Sequence, residues 1–116
     1  MTLIEKKILK KAFSVIEEMK GEETLALDLR KLTAMTDYFL ITSATNTRQV
    51  NAMAKKIEEQ INDWYGVKPL HTEGLKNSSW VLMDYGFFIL HIFLDEKRKI
   101  YNLEKIWLDA PRISIK

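Results

Sequence analysis

There is no cysteine among the 116 residues. That excludes disulfides, thiolate metal sites and a cysteine nucleophile, and it fits a reducing compartment. Glycine is scarce as well: Gly21, Gly66, Gly74 and Gly86 each stand alone. Phosphate loops and dinucleotide turns need glycines clustered within a few positions, so neither is present. Only His71 and His91 can offer imidazole, and neither falls in a metal-binding spacing. Charge of one sign is lacking too. Eighteen Lys+Arg face sixteen Asp+Glu, a formal net charge of +2, and a duplex-binding domain carries a stronger bias. No apolar run approaches a membrane span. Lysines interrupt the apolar residues of the first eleven positions, unlike a signal peptide. The expected location is cytoplasmic.

What is present is an ordinary globular composition, 47% hydrophobic and 29% charged. The length suits one domain over residues 1–116 with an unaided core. The chain is organised around Trp80-Val-Leu-Met-Asp-Tyr-Gly-Phe-Phe-Ile-Leu-His-Ile-Phe93, which reads as two apolar strands joined at Asp84-Tyr85-Gly86. Asp can cap its own backbone there, and Gly accepts a positive φ. Residues 87–94 are apolar except for His91. A strand without a polar face must be covered on both sides, so it is expected at the centre of its sheet.

Before the hairpin, Thr2-Leu-Ile-Glu5 is a capping box that opens an amphipathic helix stopping at Gly21. Its lysines and glutamates read as a solvated face. Leu25–Leu29 and Tyr38–Thr42 are expected strands. Asn46, with Gln49 three positions on, opens a long helix with an apolar stripe that ends at Gly66. Val67–Thr72 is a weaker strand, and Pro69 places it at an edge. After the hairpin, Asp95 caps a charged helix that breaks near Asn102. Pro111 closes regular structure, and Arg112–Lys116 is a tail. The expectation is a mixed α/β fold, a five-stranded sheet flanked by helices. The strand–helix–strand order around residues 38–72 implies a right-handed crossover and some parallel pairing.

The search for chemistry finds little. Ser43 lies between a strand and a helix cap, but Thr42-Ser-Ala-Thr-Asn46 lacks the glycines of a strained nucleophile elbow. Asp37, Glu73, Asp84 and Glu104 are scattered acids, better read as turn or cap groups than as metal ligands. His91 reads as a core histidine bonded to a neighbour, and His71 as an exposed edge residue. A set of aromatics and acids remains: Trp80, Asp84, Tyr85, Tyr101, Glu104 and Trp107. Aromatics with a polar handle, mixed with charges, make protein–protein hot spots. Trp107 is expected to pack the last helix onto the sheet. Trp80 and Tyr85 are expected to be exposed and, with Asp84, crowded at one end of the hairpin.

Taken together, these residues resemble the ribosomal silencing factor family, also called Iojap. The resemblance runs from Ala26 to Ala110. It includes Asp28, Thr36-Asp37-Tyr38, Ser43, Arg48-Gln49-Val50, Glu73-Gly74, Trp80-Val81, Asp84-Tyr85-Gly86, His91, Phe93, Arg98, Tyr101, Leu103-Glu104 and Ile106-Trp107 with Asp109-Ala110. Phe87-Phe88 is a mild departure, standing where the family has a more polar strand start. The resemblance implies a topology like that of nucleotidyltransferases without their catalysis, and no cofactor. It implies one partner, the fourteenth protein of the large ribosomal subunit, on the face that meets the small subunit. A factor bound there obstructs subunit joining and damps translation when nutrients are scarce. Organelle relatives are implicated in large-subunit assembly. Self-association of the free protein as a homodimer is implied too. The partner-binding residues carried onto this chain are Trp80, Asp84, Tyr85, Glu73, Tyr101 and Glu104. Two other readings stand beside this one. A metal-dependent nucleotidyltransferase-like enzyme would use the scattered acids, and a structural or RNA-binding module is opposed by the near-neutral charge.

Overall fold

The computed structural model describes residues 1–115; Lys116, the last residue of the expected tail, lies outside the described residues. Helix α1 spans Leu3–Glu18. Thr2 Oγ1 accepts from the Glu5 amide at 3.1 Å, and the Thr2 amide donates to Glu5 Oε1 at 2.9 Å, which is the reciprocal cap its spacing predicts. Strand β1 (Glu22–Asp28) and strand β2 (Tyr38–Ala44) follow. Helix α2 spans Thr47–Tyr65. Asn46 caps its start through the Gln49 amide at 2.8 Å, and Gly66, in the left-handed region, ends it. Strand β3 (His71–Glu73), strand β4 (Trp80–Asp84) and strand β5 (Phe88–Leu94) come next. Helix α3 (Asp95–Tyr101), helix α4 (Leu103–Ile106) and strand β6 (Arg112–Ile113) complete the chain.

The strand order is β3-β4-β5-β2-β1-β6. The expected fold class holds: the sheet is mixed and flanked by helices. Among the described residues it has six strands rather than five, because the tail is not structureless. Arg112 and Ile113 pair with Leu27 and Ala26 and cover the outer edge of β1, an edge that would otherwise leave backbone groups unpaired. The expected strand at Val67–Thr72 shortens to His71–Glu73, at the edge where Pro69 predicts it. β5 is central, as its uniformly apolar sequence demands. Its neighbours are β4, antiparallel, and β2, parallel from Tyr38↔Phe88 to Ala44↔Leu94. The parallel pairing therefore joins β2 to β5, while β3 pairs with β4 across the sheet.

The hairpin turn uses the expected chemistry. Asp84 Oδ1 accepts from the Gly86 amide at 2.8 Å, and Gly86 sits at φ +90. Asn102 breaks the last helical stretch as anticipated, in the left-handed region with its side chain accepting from Lys105. Asp95 is not a cap: Leu94 holds that position without a side-chain bond, and Asp95 is the first helical residue.

Two apolar layers flank the sheet. On the first face, α1 and α2 bury Ala26, Tyr38, Leu40, Val81, Met83, Phe88, Leu90 and Ile92. On the second face, the short helices and the segment after them cover Leu27, Phe39, Ile41, Ile89 and Phe93 with Leu103 and Ala110. Trp107 meets Phe39 edge-on at 5.9 Å, so it packs the last helix onto the sheet as expected.

Candidate functional site

Side chains alternate along a strand, so Trp80, Leu82 and Asp84 share the second face, and Val81 and Met83 share the first. Val81 and Met83 are sealed, whereas Trp80, Leu82 and Asp84 are only partly covered. The pairing of β3 with β4 sets Glu73 opposite Leu82 and His71 opposite Asp84. Glu73 and His71 are exposed and lie 3.3 Å apart as an ion pair when His71 is protonated. The unsealed part of the second face is thus an apolar strip, Trp80 and Leu82, bordered by acids.

Trp80 is held in place. Its ring stacks on Phe93 at 4.8 Å and is capped by the half-exposed Tyr101 at 4.7 Å. The indole Nε1 donates to His91 Nδ1 at 3.1 Å. His91 is the core histidine that the strand pattern suggests: burial pulls its pKa down to about 3. With Nδ1 accepting, the neutral ring carries its proton on Nε2. That atom has no hydrogen-bond partner among the described residues, and the ring meets Phe39 in a T-shape at 4.5 Å.

The last helices are clamped by Arg98, which is buried. Its guanidinium donates to the carbonyls of Glu22 and Glu23, to Ser43 Oγ and to Glu104 Oε1. Glu23 stands at φ +48, in a bulge where the β1–β2 register jumps between Glu22 and Leu25. The bulge brings both carbonyls to one guanidinium. Ser43 is therefore a structural ligand of Arg98, and its Oγ also donates to Glu22 O at 3.2 Å.

Four expectations change. Tyr85 is buried, 6% exposed, on the first face, where its ring stacks on Phe88 at 5.0 Å. The alternation through Val81 and Met83 assigns it to that face. Its hydroxyl has no hydrogen-bond partner among the described residues, and burial raises its pKa. Trp80 is not freely exposed but half-covered. Trp80 and Asp84 are not crowded together either: they end the same strand opposite Phe93 and Ile89, about 13 Å apart at strand rise. Glu104 is only partly exposed and is paired with Arg98 at 3.3 Å. Asp37, Glu73, Asp84 and Glu104 are not gathered, and among the described residues no three metal-ligating side chains cluster. The sequence reading missed Leu82, whose parity with Trp80 is the signal that identifies it. It also missed the exposed Ile100, Ile106 and Leu108 around Tyr101 and Trp107.

A family model described as "Ribosomal silencing factor during starvation" matches residues 3–116. A Bacillus subtilis protein named ribosomal silencing factor is 38% identical over 107 residues, covering 92% of this chain and 90% of that protein. A mouse protein named for mitochondrial assembly of the ribosomal large subunit is 28% identical over 100 residues, covering 81% of this chain and 42% of that protein. A crystal structure of a Chromobacterium violaceum protein superposes with a TM-score of 0.85 at 29% identity, covering 98% of this chain and 92% of that one.

Proposed function

The chain belongs to the ribosomal silencing factor family, and from that premise we propose that it docks on the fourteenth protein of the large ribosomal subunit and keeps the small subunit away by its bulk. The reading rests on one observation above all: the half-open strip of Trp80 and Leu82 on the second face, capped by Tyr101 and bordered by Glu73 and Asp84. Aromatic anchors within an acidic border suit a basic ribosomal protein. Tyr85 and Glu104 drop out as direct contacts, the first sealed in the core and the second bound to Arg98. Tyr85 instead supports the turn, and Glu104 the placement of the last helices.

Blocking needs no reaction. A body of 34 × 33 × 25 Å seated between the subunits occupies the space their contact requires. The protein acts as a translational repressor and performs no catalysis.

Co-sedimentation with isolated large subunits tests this. The native chain is expected to bind at low micromolar concentration in moderate salt. Trp80→Glu should abolish binding, but it also removes packing on Phe93. Leu82→Lys is the cleaner probe, since it sets a cation against a basic partner on a side chain already partly in solvent. A folded Leu82→Lys chain that binds as tightly as the native one would refute the site. Failure of the native chain to sediment with large subunits would refute the function.

The mouse relative's name supports a second role, in assembly of the large subunit. Depleting the protein from growing cells and profiling large-subunit precursors separates the two: accumulation of precursors points to assembly. The same apolar strip can hold a second copy of the free protein. Light scattering of native and Leu82→Lys chains tests that use, with a shift from dimer to monomer expected in the variant.

A further inference from the structure

Charge is balanced over the chain but not over its surface. Arg48, Lys55 and Lys76 line one open groove of about 470 Å³, together with Asn51, Asn77 and Ser78. All three cations are exposed, none has a carboxylate partner among the described residues, and no acid lines the groove.

The two walls of the groove are fixed. One is α2, where Arg48 and Lys55 stand two turns apart, about 10 Å along the axis. The other is the loop between Gly74 and Ser79, which is tied to α2. Asn51 Nδ2 donates to Leu75 O at 3.1 Å and to Ser78 Oγ at 3.0 Å, and Ser78 Oγ donates to Leu75 O at 2.7 Å. Gly74, at φ +89, packs so closely that a Cβ there would fall 1.9 Å from the Trp80 carbonyl oxygen. Lys76 is thus carried on an ordered loop opposite the two cations of α2. The exposed Glu58 and Glu59 lie one turn beyond Lys55 and limit the positive stretch to this length.

We propose that this groove takes the phosphodiester backbone of an RNA strand. A strand carries about one charge per 3.4 Å of axis, so 10 Å of cations spans about three phosphates. No aromatic side chain lines the groove to stack a base, so the grip is independent of sequence. The groove lies on the α2 side of the sheet, across it from the docking strip, and the two meet only where Ser79 leads into Trp80. The affinity for RNA therefore does not depend on the docking proposed above.

The test is a fluorescence anisotropy titration of the full chain with a labelled single-stranded RNA of about twelve nucleotides. Log affinity should fall with log salt at a slope of about −2, the value for three neutralised phosphates on a single strand. The triple variant Arg48→Gln, Lys55→Gln, Lys76→Gln should lose at least tenfold at low salt and flatten the slope. Changing Lys6, Lys7 and Lys10 of α1 to Gln should leave binding unchanged. Leu82→Lys should keep its affinity for RNA while losing large subunits, so failure of either surface shows separately. No binding at low salt, or equal binding by the triple variant, overturns the proposal. Equal competition by a poly-glutamate peptide overturns the RNA assignment in favour of an acidic peptide.

Discussion

The two faces of one strand met different fates. On β4, Val81 and Met83 are sealed against α2, while Trp80 and Leu82, equally apolar, keep part of their surface in solvent. The difference lies in what covers them. The first face is roofed by helices of 16 and 19 residues packed against each other. The second has helices of seven and four, held down by the buried Arg98 guanidinium and by Leu103, Trp107 and Ala110. A long amphipathic helix can seal a sheet; a broken short one leaves a margin, and here the margin holds a tryptophan, a leucine and a tyrosine beside acids. Apolar residues that folding leaves half-covered are the ones available to a partner.

The widest gap between the faces should appear in paired truncations. Leu90→Ala, on the sealed face, is expected to cost about 2–5 kcal/mol in denaturant unfolding, and Leu82→Ala less than about 1 kcal/mol. Equal losses would mean that the second face is as closed as the first. Next in size is the effect of acid. Unfolded His91 takes up a proton near pH 6.5, whereas the folded residue resists until about pH 3. Between these values the unfolded chain binds more protons, so the contribution of His91 to stability falls as pH falls, by up to about 1.4 kcal/mol per pH unit. His91→Leu should remove that share of the slope. A wild-type melt with the same pH dependence as the variant would show that the second face admits water around the ring.

Tyr85→Phe should raise stability by about 1 kcal/mol, because it deletes a buried hydroxyl with no protein partner while keeping the ring on Phe88. A loss instead would reveal a hydrogen-bonded water on the sealed face. The smallest effect concerns the anchor of the weaker roof. Glu23→Gly should stay within about 0.5 kcal/mol of the native chain, since glycine tolerates φ +48. Glu23→Val should cost more than about 1 kcal/mol. Thermal melts of the pair decide whether the bulge that feeds carbonyls to Arg98 is strained.

Much of this was readable from the residues, and what was not has physical causes. Caps at Thr2 and Asn46, the stop at Gly66 and the break at Asn102 are local effects, decided within a few positions. The central place of β5 followed from its lack of any polar face. The pairing of Arg112 and Ile113 with β1 depends on an edge far away in sequence, and two residues carry no periodicity. Tyr85 was misplaced because turn chemistry fixes the backbone and not the direction of the ring; strand parity, extended one residue past Asp84, gives that direction. Glu104 was misjudged because Arg98, six residues back across a helix break, claims it. The groove cations lay hidden in a balanced total, since summing charge discards position.

The parallel ladder between β2 and β5 unites segments separated by nearly half the chain. Closing so long a loop is entropically slow. During synthesis the middle of the sheet stays unmade until Leu94 has left the exit tunnel, and β2 must wait with one flank bare. A protein whose proposed task is to hold ribosomes idle therefore depends on an uninterrupted round of translation before its own centre can close.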